Sequence, residues 1–199
     1  ALDERNGEKH MNRNSKLYED LDQVLVTREE IAWKVRELGE RITEDYKGKE
    51  VLMVSVLKGA VVFLTDLMRE VDLDVRIDFM VVSSYGKGTT SSGSVKIIKD
   101  LDTNIEGKDV IIVEDILDSG NTLYYLKDLL ATRKPNSIKI CTLLDKPERR
   151  RAGITVTADY TGFVIPNEFV VGYGLDYDEK YRALPYVAIL DPRAYGKES

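Results

Sequence analysis

The apolar run Val110-Ile111-Ile112-Val113 leads directly into Glu114-Asp115, then Ile116-Leu117-Asp118, then Ser119-Gly120-Asn121-Thr122. Branched apolar residues without polar alternation read as a strand buried on both faces, as in parallel sheets covered by helices. The carboxylates then fall at the C-terminal end of that strand, the edge at which open parallel sheets bind their ligands. Ser119-Gly120-Asn121-Thr122 opens a predicted helix over 123–132, and unpaired N–H groups at a helix start suit a phosphate. A sugar-sized ligand with one phosphate could touch both ends of the segment. A lone Glu-Asp pair at a strand end commonly does no more than face solvent. The reading rests on the unbroken order of strand, acids, turn and helix.

The remaining chain alternates helix and strand signals. Thr27-Arg28-Glu29-Glu30 has the form of a capping box, and the helix it starts puts Ile31, Val35, Leu38 and Ile42 on one face. Residues 51–57 are a near-continuous apolar run, predicted as a central strand. Residues 60–71 read as a helix with Phe63, Leu64, Leu67 and Met68 inward, and 77–83 as the next strand. Residues 137–144 alternate apolar and polar positions, and 160–165, 169–171 and 187–190 are shorter strand candidates. Strands alternating with helices imply right-handed crossovers and a mainly parallel sheet flanked by helices, an α/β fold. The late short strands read as a small flap over the C-terminal edge of the sheet, a hood drawn partly from about 145–180. Residues 84–95, rich in Ser, Thr and Gly, are long for a plain connection and are expected to form a mobile lid; a hairpin tip of no consequence is the plainer reading. Residues 1–16 are polar and are expected to be a disordered extension, native or left by cloning, ahead of a single domain over 17–199.

Composition removes several function classes. With 199 residues, 43% hydrophobic and 32% charged, one globular domain with a full core is expected. A net charge of -6 argues against nucleic acid as the main partner. His10 is the single histidine and Cys141 the single cysteine, so a histidine triad, a Cys/His zinc site and an intrachain disulfide are out of reach, and a reducing, cytoplasmic setting fits. No apolar run approaches membrane-spanning length. Neither G-x-x-x-x-G-K-[ST] nor a properly placed G-x-G-x-x-G occurs.

Other short motifs are weak singly. Leu57-Lys58-Gly59 ends a predicted strand, where glycine lets backbone approach a ligand and lysine brings charge, although a surface lysine is the default. Ser84-Tyr85-Gly86 stands at the root of the expected lid, and Asp145-Lys146-Pro147 follows another strand. The segment Pro166-Asn167-Glu168-Phe169-Val170-Val171-Gly172-Tyr173-Gly174-Leu175-Asp176-Tyr177 mixes aromatics, glycines and an acid in a way that suits a flat heterocycle; core packing explains Phe169 and Val171 almost as well. Glu148-Arg149-Arg150-Arg151 reads as a solvated helix end or loop with no site role.

The signature strand resembles the phosphoribosyl-diphosphate motif of the type I phosphoribosyltransferases. Leu-Lys-Gly, Ser-Tyr-Gly, Glu-Asp-x-x-Asp-Ser-Gly, Leu-x-Lys, Phe-Val-Val-Gly-Tyr and Leu-Asp-Tyr-x-Glu-x-x-Arg resemble, in this order, the hypoxanthine-guanine branch of that family, over about 21–190. The resemblance implies a parallel-sheet core with a small hood built from N- and C-terminal segments. It implies transfer of a phosphoribosyl group from phosphoribosyl diphosphate to a 6-oxopurine, giving IMP or GMP, with Mg²⁺ as cofactor. Glu114 and Asp115 would face the ribose hydroxyls and, with Asp176, hold metal. Asp118 would take the purine N7 proton, made more basic by burial or by its acidic neighbours. Asp118, Ser119, Gly120, Asn121 and Thr122 would wrap the 5′-phosphate. Lys58, Gly59 and Arg182 would hold diphosphate, with the Leu57-Lys58 bond often cis in this family. Lys146, Phe169, Val170 and Asp176 would line the purine site, and Ser84, Tyr85 and Gly86 would belong to the closing lid. The same resemblance implies a homodimer or homotetramer. A xanthine-preferring relative and a phosphoribosyl-diphosphate-sensing, nucleic-acid-binding regulator are the alternatives; the acidic charge and the joint presence of Asp118, Lys146 and Phe169 favour the enzyme.

Overall fold

The computed structural model describes residues 18–84 and 95–196, with Ser84 described in its backbone only. Thr27 caps helix α1 (Arg28–Asp45): its hydroxyl accepts from the Glu30 N–H at 3.1 Å, and the Glu30 carboxylate accepts from the Thr27 N–H at 2.8 Å. The reciprocal bonds satisfy two N–H groups that a helix start otherwise leaves orphaned. Ile31, Val35, Leu38 and Ile42 are buried, as their spacing requires.

Strands β2 (Glu50–Val56), β3 (Asp74–Ser84), β4 (Val95–Lys99), β5 (Asp109–Leu117), β6 (Ser137–Asp145) and β7 (Tyr160–Val164) form a six-stranded sheet in the order β4-β3-β2-β5-β6-β7. All neighbouring pairs are parallel except β3 with β4. The signature strand β5 lies between β2 and β6, with Ile112 opposite both Val54 and Ile140. Its alternate side chains feed two cores. Ile111 and Val113 pack with α1 and α2 (Val61–Arg69), while Val110 and Ile112 pack with α3 (Asn121–Ala131). Continuous apolar sequence follows from burial on both faces.

Strand β1 (Leu21–Val26) pairs antiparallel with β9 (Val187–Leu190), and β9 with β8 (Val170–Val171), making a separate three-stranded hood from both ends of the described chain. The sequence reading missed β1, because its partner lies at the far end of the chain and its alternation is half polar. It also missed β4, which pairs antiparallel with β3, Val95 opposite Ser84. The ends of the expected lid, Ser84 and Val95, belong to β3 and β4; the rest of it, with Tyr85 and Gly86, lies outside the described residues, as does the extension at 1–16. Phe169, expected in a strand, precedes β8.

Candidate functional site

Because β2, β5, β6 and β7 run parallel, their C-terminal ends share one edge, and each end carries a polar segment singled out above. Lys58 and Gly59 follow β2, Asp118 to Thr122 follow β5, and Lys146 follows β6. Gly120 is the N-cap of α3 with φ 82°, left-handed backbone that glycine adopts without strain. A Cβ there would also meet Val156 Cγ1 at 2.8 Å and Ile154 Cγ2 at 2.9 Å. The turn is therefore specific to glycine on two counts. It delivers the start of α3, with its partial positive charge, beside the strand's acids.

The turn is held by a residue that the sequence reading set aside. Arg150 donates to the carbonyl oxygens of Leu117 at 3.1 Å and Asp118 at 2.5 Å, and to the Asp145 carboxylate at 2.5 Å. The Arg151 N–H donates to the Ser119 carbonyl at 3.0 Å, and the Lys146 N–H to the Leu117 carbonyl at 3.0 Å. The expectation of a solvated Glu148–Arg151 run is thus corrected for Arg150, whose side chain is 17% exposed. A planar five-donor group can satisfy a carboxylate and two carbonyls at once. An arginine after Lys146 carries no sequence signal that separates this use from a surface one.

Burial is also distributed differently from expectation. Burial of Asp118 was one of the two expectations for it, the other being the influence of its acidic neighbours; its side chain is 40% exposed and pairs with Arg149 Nε at 3.2 Å. It lies past the last residue of β5, where neighbouring strands no longer cover it. Glu114 and Asp115 are still within β5, where Glu114 is buried and Asp115 half-buried. Desolvation, with the Asp115 charge adding to it, pushes the Glu114 carboxyl well above its ordinary range. Desolvation raises Asp115 to about 6, against the lowering effect of the Ile116 N–H, which donates to its Oδ1 at 2.7 Å.

The hood meets the sheet through glycine backbone. A Cβ on Gly59 would sit 1.9 Å from Asp115 Oδ2, and a Cβ on Gly174 (φ 96°) 2.1 Å from the Gly59 carbonyl oxygen. The Leu57-Lys58 peptide bond is cis. Arg182 donates to the Gly174 carbonyl at 2.7 Å and pairs with Asp176 at 3.1 Å and Glu179 at 3.2 Å; its buried Nε has no hydrogen-bond partner. Lys58 pairs with the same Glu179 at 3.0 Å. Lys58, Gly59, Asp115, Gly174, Asp176 and Arg182 thus form one connected set.

Lys146 is 7% exposed, and desolvation lowers the pKa of its ammonium, partly offset by the Asp118 charge. The Phe169 ring is 38% exposed, lies 5.2 Å from the Tyr195 ring at 31° and meets Tyr177 edge-on at 5.6 Å. Val170 is buried in β8 opposite Ile189. Among the described residues no group of three or more His, Cys, Asp or Glu is placed to hold a metal ion. Glu114 and Asp115 are a two-carboxylate oxygen donor set, the kind Mg²⁺ uses when waters and phosphate oxygens complete its shell. Asp176 stands apart from them, its carboxylate accepting from the Glu179 N–H at 2.9 Å.

Residues 23–178 match the family model of the phosphoribosyl transferase domain. The chain belongs to the phosphoribosyltransferase family. Within it, the chain is 55% identical over 181 residues to the hypoxanthine-guanine phosphoribosyltransferase of Streptococcus thermophilus, covering 91% of this chain and 99% of that protein. It is also 55% identical over 184 residues to the bifunctional protein TilS/HprT of Listeria innocua; this covers 92% of the chain but spans only 28% of that relative's length. The solved hypoxanthine phosphoribosyltransferase of Staphylococcus aureus is 52% identical, with a TM-score of 0.88, and the match covers 93% of this chain and 100% of that one. The Trypanosoma cruzi hypoxanthine phosphoribosyltransferase, solved as a mutant in a ternary substrates complex, is 45% identical with a TM-score of 0.85, covering 89% and 100%. Among the described residues no helix is long and apolar enough to cross a membrane.

Proposed function

We propose that this chain is a purine salvage enzyme that transfers the 5-phosphoribosyl group from phosphoribosyl diphosphate to N9 of hypoxanthine or guanine, yielding IMP or GMP and diphosphate. The observation that carries the reading is the junction of β5 and α3. One buried carboxylate, one half-buried carboxylate, one exposed carboxylate and a left-handed glycine turn lie in sequence at the ligand-binding edge of a parallel sheet. In this reading Asp118 to Thr122 hold the 5′-phosphate through backbone N–H and hydroxyl groups at the start of α3. Glu114 and Asp115 accept from the ribose hydroxyls, and their negative charge favours the cationic C1′ that develops as diphosphate leaves.

As the lone pair of N9 bonds to C1′ and the C1′–O bond to diphosphate breaks, Asp118 receives the proton from N7. Lys58, Gly59 and Arg182 hold diphosphate. Lys146 donates to O6, Phe169 stacks on the base, and Val170 meets its edge through the backbone. The Lys146 donor selects an oxo group, because adenine would oppose it with an amino donor. Mg²⁺, held by Glu114 and Asp115 with a second ion at Asp176, supplies charge neutralisation for phosphoribosyl diphosphate. A lid that includes Ser84, Tyr85 and Gly86 excludes water, which would otherwise capture C1′. A reducing compartment such as the cytoplasm suits the one buried cysteine, and a homodimer or homotetramer is the assembly expected by family analogy.

The test is a spectrophotometric assay of the purified protein with Mg²⁺, phosphoribosyl diphosphate and each purine in turn. Nucleotide formation with hypoxanthine or guanine supports the proposal; turnover of xanthine alone, or of no purine, contradicts it.

A further inference from the structure

We infer that Glu179 is an internal stand-in for diphosphate, a carboxylate that occupies the anion site until the ligand displaces it, and that it thereby sets the affinity for diphosphate-bearing ligands. The inference rests on the proposed assignment of Lys58 and Arg182 to diphosphate.

Three relationships carry it. First, the Glu179 carboxylate bridges both cations, with one oxygen 3.0 Å from Lys58 Nζ and the other 3.2 Å from an Arg182 terminal nitrogen. Lys58 comes from the end of β2 and Arg182 from the hood, so the bridge spans the gap between two separate parts of the fold. Second, the carboxylate is delivered by a fixed turn. Asp178 and Glu179 both have left-handed backbone, with φ 51° and 61°, the Glu179 N–H donates to Asp176 Oδ2 at 2.9 Å, and Tyr177 bridges Lys180. Third, the carboxylate is 64% exposed, so displacement needs only a side-chain rotation into water and leaves no buried charge behind. Arg182 keeps its other anchors, the Gly174 carbonyl and Asp176, and its buried Nε has no hydrogen-bond partner while Glu179 is in place.

A single carboxylate carries one negative charge, whereas diphosphate carries more and offers oxygens to both cations at once, so it wins when present. Its apparent affinity is reduced by the fraction of molecules in which Glu179 holds the site. The same contact would assist release of product diphosphate by offering the cations a replacement anion. Glu179 is on this reading a positioning residue, acting through Lys58 and Arg182.

The experiment is calorimetric titration of magnesium diphosphate into the intact protein and into Glu179→Gln, together with steady-state kinetics of both. Two exposed ion pairs set the scale, so the variant is expected to bind diphosphate roughly three- to tenfold more tightly. KM for phosphoribosyl diphosphate is expected to fall by a similar factor, while KM for the purine and the melting temperature stay unchanged. Equal or weaker diphosphate binding by the variant would overturn the stand-in role, since an orienting glutamate lost from the site weakens binding. If the unaltered protein and a Lys58→Ala variant bind diphosphate equally, the diphosphate assignment itself fails and the inference with it.

Discussion

Gly59 lies so close to Asp115 that a Cβ on the glycine would sit 1.9 Å from the carboxylate's Oδ2. That contact joins the ends of two neighbouring strands, β2 and β5, and Gly174 closes on the other side of Gly59. It makes the backbone after β2 part of the wall around the acidic pair.

Gly59→Ala should therefore displace either the Asp115 carboxylate or the Lys58-Gly59 backbone. Misplacing reacting groups by about 1 Å costs on the order of 100-fold in rate. Phosphoribosyl transfer by the variant is expected to fall by at least that factor with the circular dichroism spectrum retained. A variant within twofold of the parent would show that the contact is not part of the site.

Desolvation of the acids on β5 makes stability depend on pH. Asp115 is raised from 3.8 to about 6 in the folded chain, so the folded state holds a proton that the unfolded chain has released between those values. Stability from this group is full below pH 3.8 and is lost as pH rises through about 6. Asp115→Asn removes the charge, and at pH 7.5 it should unfold at higher temperature than the parent, by about 1–3 kcal/mol of stability, with the gap closing near pH 4. Melting curves across that range check the sign; a variant that is less stable at pH 7.5 contradicts it.

Arg150 ties the turn after β5 to Asp145. Arg150→Met should leave the Asp145 carboxylate and the Asp118 carbonyl without the arginine donor, and the Leu117 carbonyl with the Lys146 N–H alone. Breaking a largely buried pair in this way is expected to lower the melting temperature by roughly 5–10 °C. KM for phosphoribosyl diphosphate should rise, because the phosphate turn loosens. Unchanged KM and melting temperature would return Arg150 to the solvated role its sequence context suggests.

Lys146 is buried where its ammonium is desolvated. Lys146→Ala should weaken discrimination against adenine, measured as the ratio of kcat/KM for hypoxanthine and adenine, by about 10- to 100-fold. An unaltered ratio would remove Lys146 from the base pocket.

Asp118 is the proposed proton acceptor. Asp118→Asn should lower kcat far more than it weakens nucleotide binding, measured by single-turnover kinetics and equilibrium titration; equal losses would contradict a proton-transfer role.

The sheet was legible because its evidence is local. β2 and β5 are apolar runs, β6 alternates apolar and polar positions, and α1 carries both its cap and its stripe in consecutive residues. The hood was partly legible. β8 and β9 are apolar, but β1 gains its identity from Val187–Leu190 at the other end of the chain. Glu114-Asp115-x-x-Asp118 could be read as a motif, yet which acid is buried depends on where β5 ends relative to its neighbours, and that is a property of the sheet. Arg150, set aside as solvated, and Glu179, quoted within its motif without a role, went unassigned for a similar reason. One reaches back to carbonyls at the end of β5, more than thirty residues earlier, and the other to a lysine from a distant segment, contacts that no spacing announces.

The central claim is that the turn at Ser119 to Thr122 grips the 5′-phosphate. A crystal structure of the protein soaked with IMP tests it directly. The phosphate is expected at the start of α3, within hydrogen-bond distance of the N–H groups of Gly120 and Thr122. Density for the phosphate anywhere else, with that turn empty, would contradict it.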